Sequence, residues 1–156
     1  MIRIVRTTSA DPAFRTLTAA LDAELWARYP DIQGDYAPFN LTATDTAVVA
    51  LAGDVPVGCA CVKPFEDPAA VELKRMFVAP SHRGHGVASL VLRELEAWAR
   101  ELGFTRLVLE MGDRQPEAAA FYAAHGFTAI PLYGPYVGLA HSVCLAKPLN
   151  VLPAPA

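Results

Sequence analysis

Long apolar runs, surplus positive charge and abundant cysteine are all missing from this sequence. Charges or prolines interrupt every apolar run well before the ~18–20 residues that a membrane-spanning helix needs, so we expect no membrane contact. Lys and Arg number 13 against 16 Asp and Glu, and the formal net charge of −3 argues against nucleic acid as a partner. Any site for an anionic ligand must therefore be built locally.

The cysteine content argues against a disulfide framework. The 3 cysteines are an odd number, and Met1 leads into the short charged segment MIRIVR rather than into a secretion signal. We therefore expect a reduced chain in the cytoplasm. Cys59 and Cys61 share one face of a strand, and no His or Cys cluster lies near them in the sequence, so we predict core residues and no metal site.

The order of local patterns predicts a mixed α/β sheet. A strand opens the chain, Asp11 and Pro30 bound a helix, and Gly53-Asp54 joins the two strands of a β-hairpin. A third strand, AVELKRMFVAP, is followed by helices that alternate with strands. We predict about seven strands and about four helices in a single domain over residues 1–150, with a disordered tail at 151–156.

The segment RGHGVAS, from Arg83 to Ser89, has the composition of an anion-binding loop at a helix start. Its glycines permit backbone conformations that other residues avoid, and the first N–H groups of a helix lack intrahelical acceptors. A P-loop is excluded because the chain has no Gly-Lys-Ser or Gly-Lys-Thr, and a dinucleotide fingerprint is disfavoured because Ser89 replaces its third glycine. A pyrophosphate fits this arrangement, and a purely structural loop is the alternative.

Two segments together resemble the signatures of the GNAT superfamily of N-acetyltransferases, enzymes that use acetyl-CoA. VELKRMFVAPSHRGHGVASLVL is similar to the family's strand, pyrophosphate loop and helix, and QPEAAAFYAAHGF is similar to its second signature. The resemblance implies the GNAT fold, in which two central parallel strands, here ELKRMFV and RLVLE, splay apart to admit the cofactor. It also implies a bacterial-type acetyltransferase with acetyl-CoA as co-substrate.

The resemblance further assigns cofactor contacts residue by residue. The pantetheine arm would lie along the backbone of Met76, Phe77 and Val78. Gln115 stands where many members have asparagine, and Tyr122 matches a tyrosine near the cofactor sulfur. The residues assigned to the pyrophosphate are Arg83, Gly84, His85, Gly86, Val87, Ala88 and Ser89.

Acetyl transfer to an amine requires a base for the amine and a proton for the leaving thiolate. Glu72 occupies the strand position that resembles the general base of several members, and Glu110 is the second candidate. Tyr122 is the candidate acid. The alternatives are a solvated strand-edge charge for Glu72 and an ordinary core aromatic for Tyr122.

The acceptor is predicted to be a primary amine of a small molecule or of an amino-acid-like substrate. The aromatic candidates for its pocket, each alternatively a packed core residue, are Tyr36, Phe39, Tyr133 and Tyr136. Two other functions stay open: an acyl-CoA-binding sensor or accessory protein without turnover, and a protein or peptide N-acetyltransferase. We expect a monomer or a homodimer.

Overall fold

The computed structural model describes residues 1–40 and 43–150, which form seven strands and four α-helices. Its seven strands are β1 (Ile2–Thr7), β2 (Ala47–Ala52), β3 (Val55–Pro64), β4 (Ala70–Val78), β5 (Arg106–Gly112), β6 (Thr128–Ile130) and β7 (Ser142–Pro148). Its four α-helices are α1 (Pro12–Arg28), α2 (Gln33–Asn40), α3 (Val87–Glu101) and α4 (Pro116–Ala124). The predicted disorder of residues 151–156 lies outside the described residues.

The strands form one mixed sheet in the order β1-β2-β3-β4-β5-β7-β6. β1 with β2, β2 with β3, β5 with β7 and β6 with β7 are antiparallel, whereas β4 and β5 are parallel. The parallel ladder comprises Ala70–Glu72 and Arg106–Val108. The predicted fold class, a mixed sheet of about seven strands with about four helices, is confirmed.

The chain divides into two compact units, and β4 and α3 each contribute residues to both. The first unit comprises Met1–Lys63 and Leu73–Ala97, and the second comprises Pro64–Glu72 and the chain from Trp98 onward. The single domain expected over residues 1–150 stays a prediction. No helix in the described ranges combines the length and the apolar character that crossing a membrane requires.

In the first unit, α1 begins where the sequence predicts. The Asp11 side chain accepts a hydrogen bond from the Ala13 N–H at 2.8 Å, and Pro12 occupies the first turn, where its missing N–H has no cost. The apolar face of α1 packs on the sheet. The buried residues of this core are Phe14, Leu17, Ala47, Val49, Cys59, Cys61 and Phe77. The prediction that Cys59 and Cys61 are core residues is therefore confirmed.

In the second unit, β5 is the buried central element. Leu107, Val108 and Leu109 are at most 2% exposed, which is why this strand reads as a continuous apolar run. α4 follows β5 and ends in a turn in which the Phe127 N–H donates to the Tyr122 carbonyl at 3.0 Å. That turn sets Phe127 against the ring of Tyr122, with ring centroids 5.3 Å apart.

Candidate active site

The predicted anion-binding loop connects β4 to α3 in the first unit. A 3-10 turn at Pro80–His82 is followed by Gly84 and Gly86, whose φ angles of 80° and 81° lie in the left-handed region that favours glycine. The first intrahelical bond of α3 runs from the Leu90 N–H to the Gly86 carbonyl at 3.2 Å. The N–H groups of 87–89 thus precede that bond, at the positive end of a 15-residue helix. The backbone here has the form of an anion site.

The start of α3 lies very close to β3. A Cβ added to Gly58 would lie 2.8 Å from the Cγ1 atom of Val87, and Val87 itself is 2% exposed. The absence of a side chain at position 58 therefore permits the helix start, and with it the loop, to pack directly on the sheet.

Arg83 braces the loop against α1. Its Nη2 donates to Glu24 Oε2 at 2.7 Å, and its Nε donates to the Val78 carbonyl at 2.8 Å. The guanidinium carbon also lies 5.4 Å from the ring centroid of Phe77. Glu24, which also pairs with Arg28 at 3.6 Å, thus holds the residue that the sequence nominated for the pyrophosphate. His85, between the two glycines, is exposed.

The strand assigned to the pantetheine arm is preceded by a backbone outlier. Arg75, inside β4, has a φ of 64° and is the one non-glycine residue with positive φ among the described residues. Met76 and Val78 after it are half-buried, and Phe77 is 5% exposed. No local sequence signal pointed to this distortion, since β4 carries no glycine.

Glu72, on β4 in the second unit, is 5% exposed and is paired with a tyrosine. The Tyr133 hydroxyl donates to Glu72 Oε2 at 2.7 Å. Burial, followed by the negative charge of Glu72 and its hydrogen bond, raises the pKa of Tyr133 above its usual range. Tyr133 therefore stays a neutral donor that orients the carboxylate. The alternative interpretation of Glu72 was a solvated charge at a strand edge. The observed burial of Glu72 does not fit that interpretation.

Glu110, on β5, lies on the same sheet face as Glu72. Glu72 pairs with Val108, and Glu110 is two residues further along β5, so the alternation of side chains places both carboxylates on one face. The Ser142 hydroxyl on β7 donates to Glu110 Oε2 at 2.8 Å. Burial, and then the charges of Glu110 and Glu72, raise the pKa of Tyr136. The structure thus groups both predicted bases, and neither Ser142 nor the role of Tyr133 toward Glu72 was predicted.

Tyr122, on α4, is 7% exposed. Its ring makes edge-to-face contacts with Phe121 and Phe127, both at 5.3 Å between centroids. Burial raises the pKa of the hydroxyl, so Tyr122 is protonated throughout the physiological range. Within residues 1–40 and 43–150 the hydroxyl has no hydrogen-bond partner, and it is not fully enclosed. A ligand atom can therefore accept a hydrogen bond from it.

Gln115 stands at the N-cap of α4 without a side-chain cap to that helix. Its Oε1 instead accepts from the Gly112 N–H at 3.3 Å, closing the turn between β5 and α4.

The four aromatic candidates for the acceptor pocket divide between the units. Tyr133 contacts Tyr136 edge to face at 5.7 Å and Phe65 at 4.8 Å, all within the second unit. Tyr136 is 2% exposed and so is largely a core residue. Tyr36 and Phe39 are half-buried on α2 in the first unit. In the described part of the chain, no three His, Cys, Asp or Glu side chains are grouped as metal ligands.

Comparison with known proteins gives concordant matches. The model of the Acetyltransferase (GNAT) family matches residues 12–127. An IAA acetyltransferase of Azospirillum brasilense is 30% identical over 150 residues, covering 95% of this chain and 98% of that protein. A protein of Klebsiella pneumoniae subsp. pneumoniae MGH 78578, named as an acyl-CoA N-acyltransferase, has a TM-score of 0.78 at 31% identity, over 96% of this chain and 99% of that one.

A more distant structural likeness includes bound ligands. The N-acetylglutamate synthase of Neisseria gonorrhoeae, solved with coenzyme A and N-acetyl-glutamate, has a TM-score of 0.71 at 20% identity. The match covers 96% of this chain and 35% of the synthase chain, and it is a likeness of fold alone.

Proposed function

The chain belongs to the GNAT family of acetyltransferases, and from this premise we propose that it transfers the acetyl group of acetyl-CoA to a primary amine of a small molecule or an amino-acid-like substrate. The family match confirms the resemblance of the two sequence signatures and supports acetyl-CoA-dependent acyltransferase activity. The acceptor and the individual site residues are the content of the proposal.

The observation that carries the cofactor part of the proposal is the glycine loop. Two left-handed glycines lead into a 15-residue helix, whose positive dipole end therefore lies at the loop. A pyrophosphate would bind N–H groups of the loop and interact favourably with the helix dipole. Arg83, held by Glu24, would act mainly by holding the loop. The pantetheine arm would follow the backbone of Met76–Val78.

The proposed base is Glu72, with Glu110 as the second candidate. An amine attacks only when it is neutral, so a carboxylate that accepts its proton, directly or through water, promotes the reaction. Glu72 is the more buried of the two, and the Tyr133 hydroxyl donates to its Oε2 at 2.7 Å, which fixes the orientation of the carboxylate.

The proposed donor to the leaving group is Tyr122. In the reaction the amine nitrogen bonds to the acetyl carbon, the carbon–sulfur bond breaks, one amine proton passes to the base and the thiolate takes up a proton. Burial keeps the Tyr122 hydroxyl protonated, so it can donate a hydrogen bond to the developing thiolate. Because the raised pKa disfavours a tyrosinate, the net proton must ultimately come from the attacking amine.

A thiol-release assay with acetyl-CoA tests this proposal. The acceptors to be compared are amino acids, polyamines, aminoglycosides, a basic peptide and IAA, which appears in the name of the Azospirillum brasilense relative. The variants are Tyr122→Phe and Glu72→Gln. Each variant should lose roughly 10²–10⁴-fold in kcat for a small amine, the range expected for general acid–base groups. The matched control is Glu94→Gln, which removes a partly exposed carboxylate paired with Arg6 at 2.7 Å and should leave turnover unchanged.

The panel also separates the alternatives. Turnover confined to the peptide would favour a peptide acetyltransferase. Stabilisation by acetyl-CoA without thiol release on any acceptor would favour the sensor, since a ligand that binds the folded state raises the melting temperature whether or not it reacts. Absence of both effects would refute the proposed cofactor site. Monomer or homodimer and a cytoplasmic location stay predictions.

We keep one domain over residues 1–150 as a proposal as well. A single cooperative unfolding transition, coincident by circular dichroism and fluorescence, would support it, whereas two separate transitions would contradict it.

A further inference from the structure

Arg75 has a backbone conformation that needs outside support. An L-residue with a φ of 64° is strained, and such residues persist only where surrounding contacts determine their geometry. Arg75 also lies within a strand, where extended backbone is the norm. Its position, immediately before Met76, places the distortion at the beginning of the segment proposed to receive the pantetheine arm.

The contacts of Arg75 supply that support from both sides. Its Nη2 donates to the Thr18 carbonyl at 2.9 Å and to Asp22 Oδ1 at 2.7 Å, both on α1. The Cys59 thiol on β3 donates to the Arg75 carbonyl at 3.4 Å. The Arg75 side chain is 6% exposed and that of Asp22 is 49% exposed, so the buried guanidinium is held from α1 by one backbone carbonyl and by one carboxylate that solvent partly screens.

We propose that Arg75 and Asp22 are positioning residues for cofactor binding: the clamp from α1 holds the left-handed turn in β4 that aims the backbone groups of Met76 and Phe77 at the pantetheine arm. The inference rests on the proposed function. A left-handed residue rotates the peptide groups that follow it away from the directions of an uninterrupted strand. The N–H and C=O groups after Arg75 are thereby offered to a ligand in an orientation that the clamp maintains.

The two parts of coenzyme A provide the test. 3′-Phospho-ADP has the pyrophosphate and lacks the pantetheine arm, so it would contact the glycine loop without using the segment after Arg75. If the clamp positions that segment, Arg75→Ala should raise the Kd for coenzyme A roughly tenfold and leave the Kd for 3′-phospho-ADP within about twofold, as measured by calorimetry. A general loss of structure would instead raise the Kd for both ligands.

Further variants separate the turn from the ion pair. Arg75→Gly and Arg75→Asn remove the anchor but tolerate a positive φ, so they should bind coenzyme A more tightly than Arg75→Ala does. Asp22→Asn should weaken the binding of coenzyme A when Arg75 is present. It should have no further effect on that binding in Arg75→Gly, because Asp22 acts through Arg75. The control is Arg15→Ala, which removes an exposed arginine from the same helix.

Each outcome decides the inference. Equal weakening of both ligands, or unchanged coenzyme A affinity in all Arg75 variants, overturns it while leaving the proposed function standing. If the unmodified protein binds neither ligand, the proposed function fails, and the inference fails with it. Binding by the unmodified protein without turnover would move the function to the sensor, and the ratio of the two Kd values would still test the clamp.

Discussion

Gly58→Ala should destabilise the protein through one contact at the start of α3. The added Cβ would lie 2.8 Å from Val87 Cγ1 and 3.5 Å from both the Ala50 Cβ and the Phe77 carbonyl oxygen. Val87 cannot step aside easily, because a β-branched side chain has few χ1 rotamers and this one is 2% exposed. The helix start must therefore shift by several tenths of an ångström.

The expected cost follows from overpacking of a well-packed core, which is about 1–3 kcal/mol. For a chain of this length, each 1 kcal/mol lowers the melting temperature by roughly 2–4 °C, so the predicted fall is about 2–12 °C. Thermal unfolding followed by circular dichroism measures it. The matched control is Gly34→Ala, where an added Cβ meets only Trp26 at 4.0 Å and the α2 backbone accepts alanine, so stability should be unchanged or slightly raised.

A double-mutant cycle checks the cause. In a Val87→Ala background the clashing Cγ1 is gone, so Gly58→Ala should cost at least about 1 kcal/mol less there than in the unmodified chain. The same shift of the helix start should weaken acetyl-CoA binding, seen as a smaller rise in melting temperature on adding it. Two results would refute this account of how the start of α3 packs on β3. One is an equal loss of unfolding free energy in both backgrounds, and the other is a Gly58→Ala variant as stable as the unmodified chain.

Two further predictions concern the second unit and the buried thiols. Tyr133→Phe removes the hydroxyl that donates to Glu72 at 2.7 Å, and hydrogen bonds to charged groups contribute about 1.5–3 kcal/mol. In the thiol-release assay, kcat/KM for the amine should therefore fall at least about tenfold while the affinity for coenzyme A stays unchanged. An unaltered kcat/KM would contradict the role of this hydrogen bond. Burial raises the pKa of the Cys59 thiol to about 12, so above about pH 9 the unfolded chain loses a proton that the folded chain keeps, and stability falls as pH rises toward 12. Cys59→Ala should flatten that fall by up to about 1.4 kcal/mol per pH unit in denaturant titrations, and an identical slope would contradict the shift.

Local signals in the sequence were sufficient for the elements and for the loop. The cap at Asp11 and the two-residue turn at Gly53-Asp54 depend on backbone conformations that a few adjacent residues decide, and both are found. The conformation of Gly84 and Gly86 is similarly a local property, so the motif predicts the backbone of an anion site without knowledge of the fold.

Side-chain roles were less predictable because they depend on partners distant in the sequence. Glu72 and Tyr133 are 61 residues apart, and Arg75 and Asp22 are 53 apart. Nothing in the spacing of these residues indicates that they meet. The left-handed φ of Arg75 is also not encoded by a glycine, and it follows from contacts that exist only after α1 packs on the sheet.

Arg83 shows how this difference alters the interpretation of a motif. From the sequence, an arginine at the start of a glycine loop is a phosphate ligand. In the structure its Nε holds the Val78 carbonyl and its Nη2 holds Glu24 of α1, at 2.8 and 2.7 Å. Arg75, at the other end of the same segment, is held by Asp22 of the same helix.

Both ends of Met76–Val78 are therefore attached through arginines to carboxylates of α1. Glu24 also pairs with Arg28 at 3.6 Å, so its charge is shared by two arginines. Because both Arg75 and Arg83 are directed at α1 and not at the loop, the proposed attraction for an anion comes mainly from oriented backbone N–H groups. That origin predicts a modest salt dependence of coenzyme A binding, because fixed dipoles at short range are screened less than exposed charges. A steep loss of affinity between low and physiological salt would instead mean that Arg83 leaves Glu24 and binds the phosphate directly.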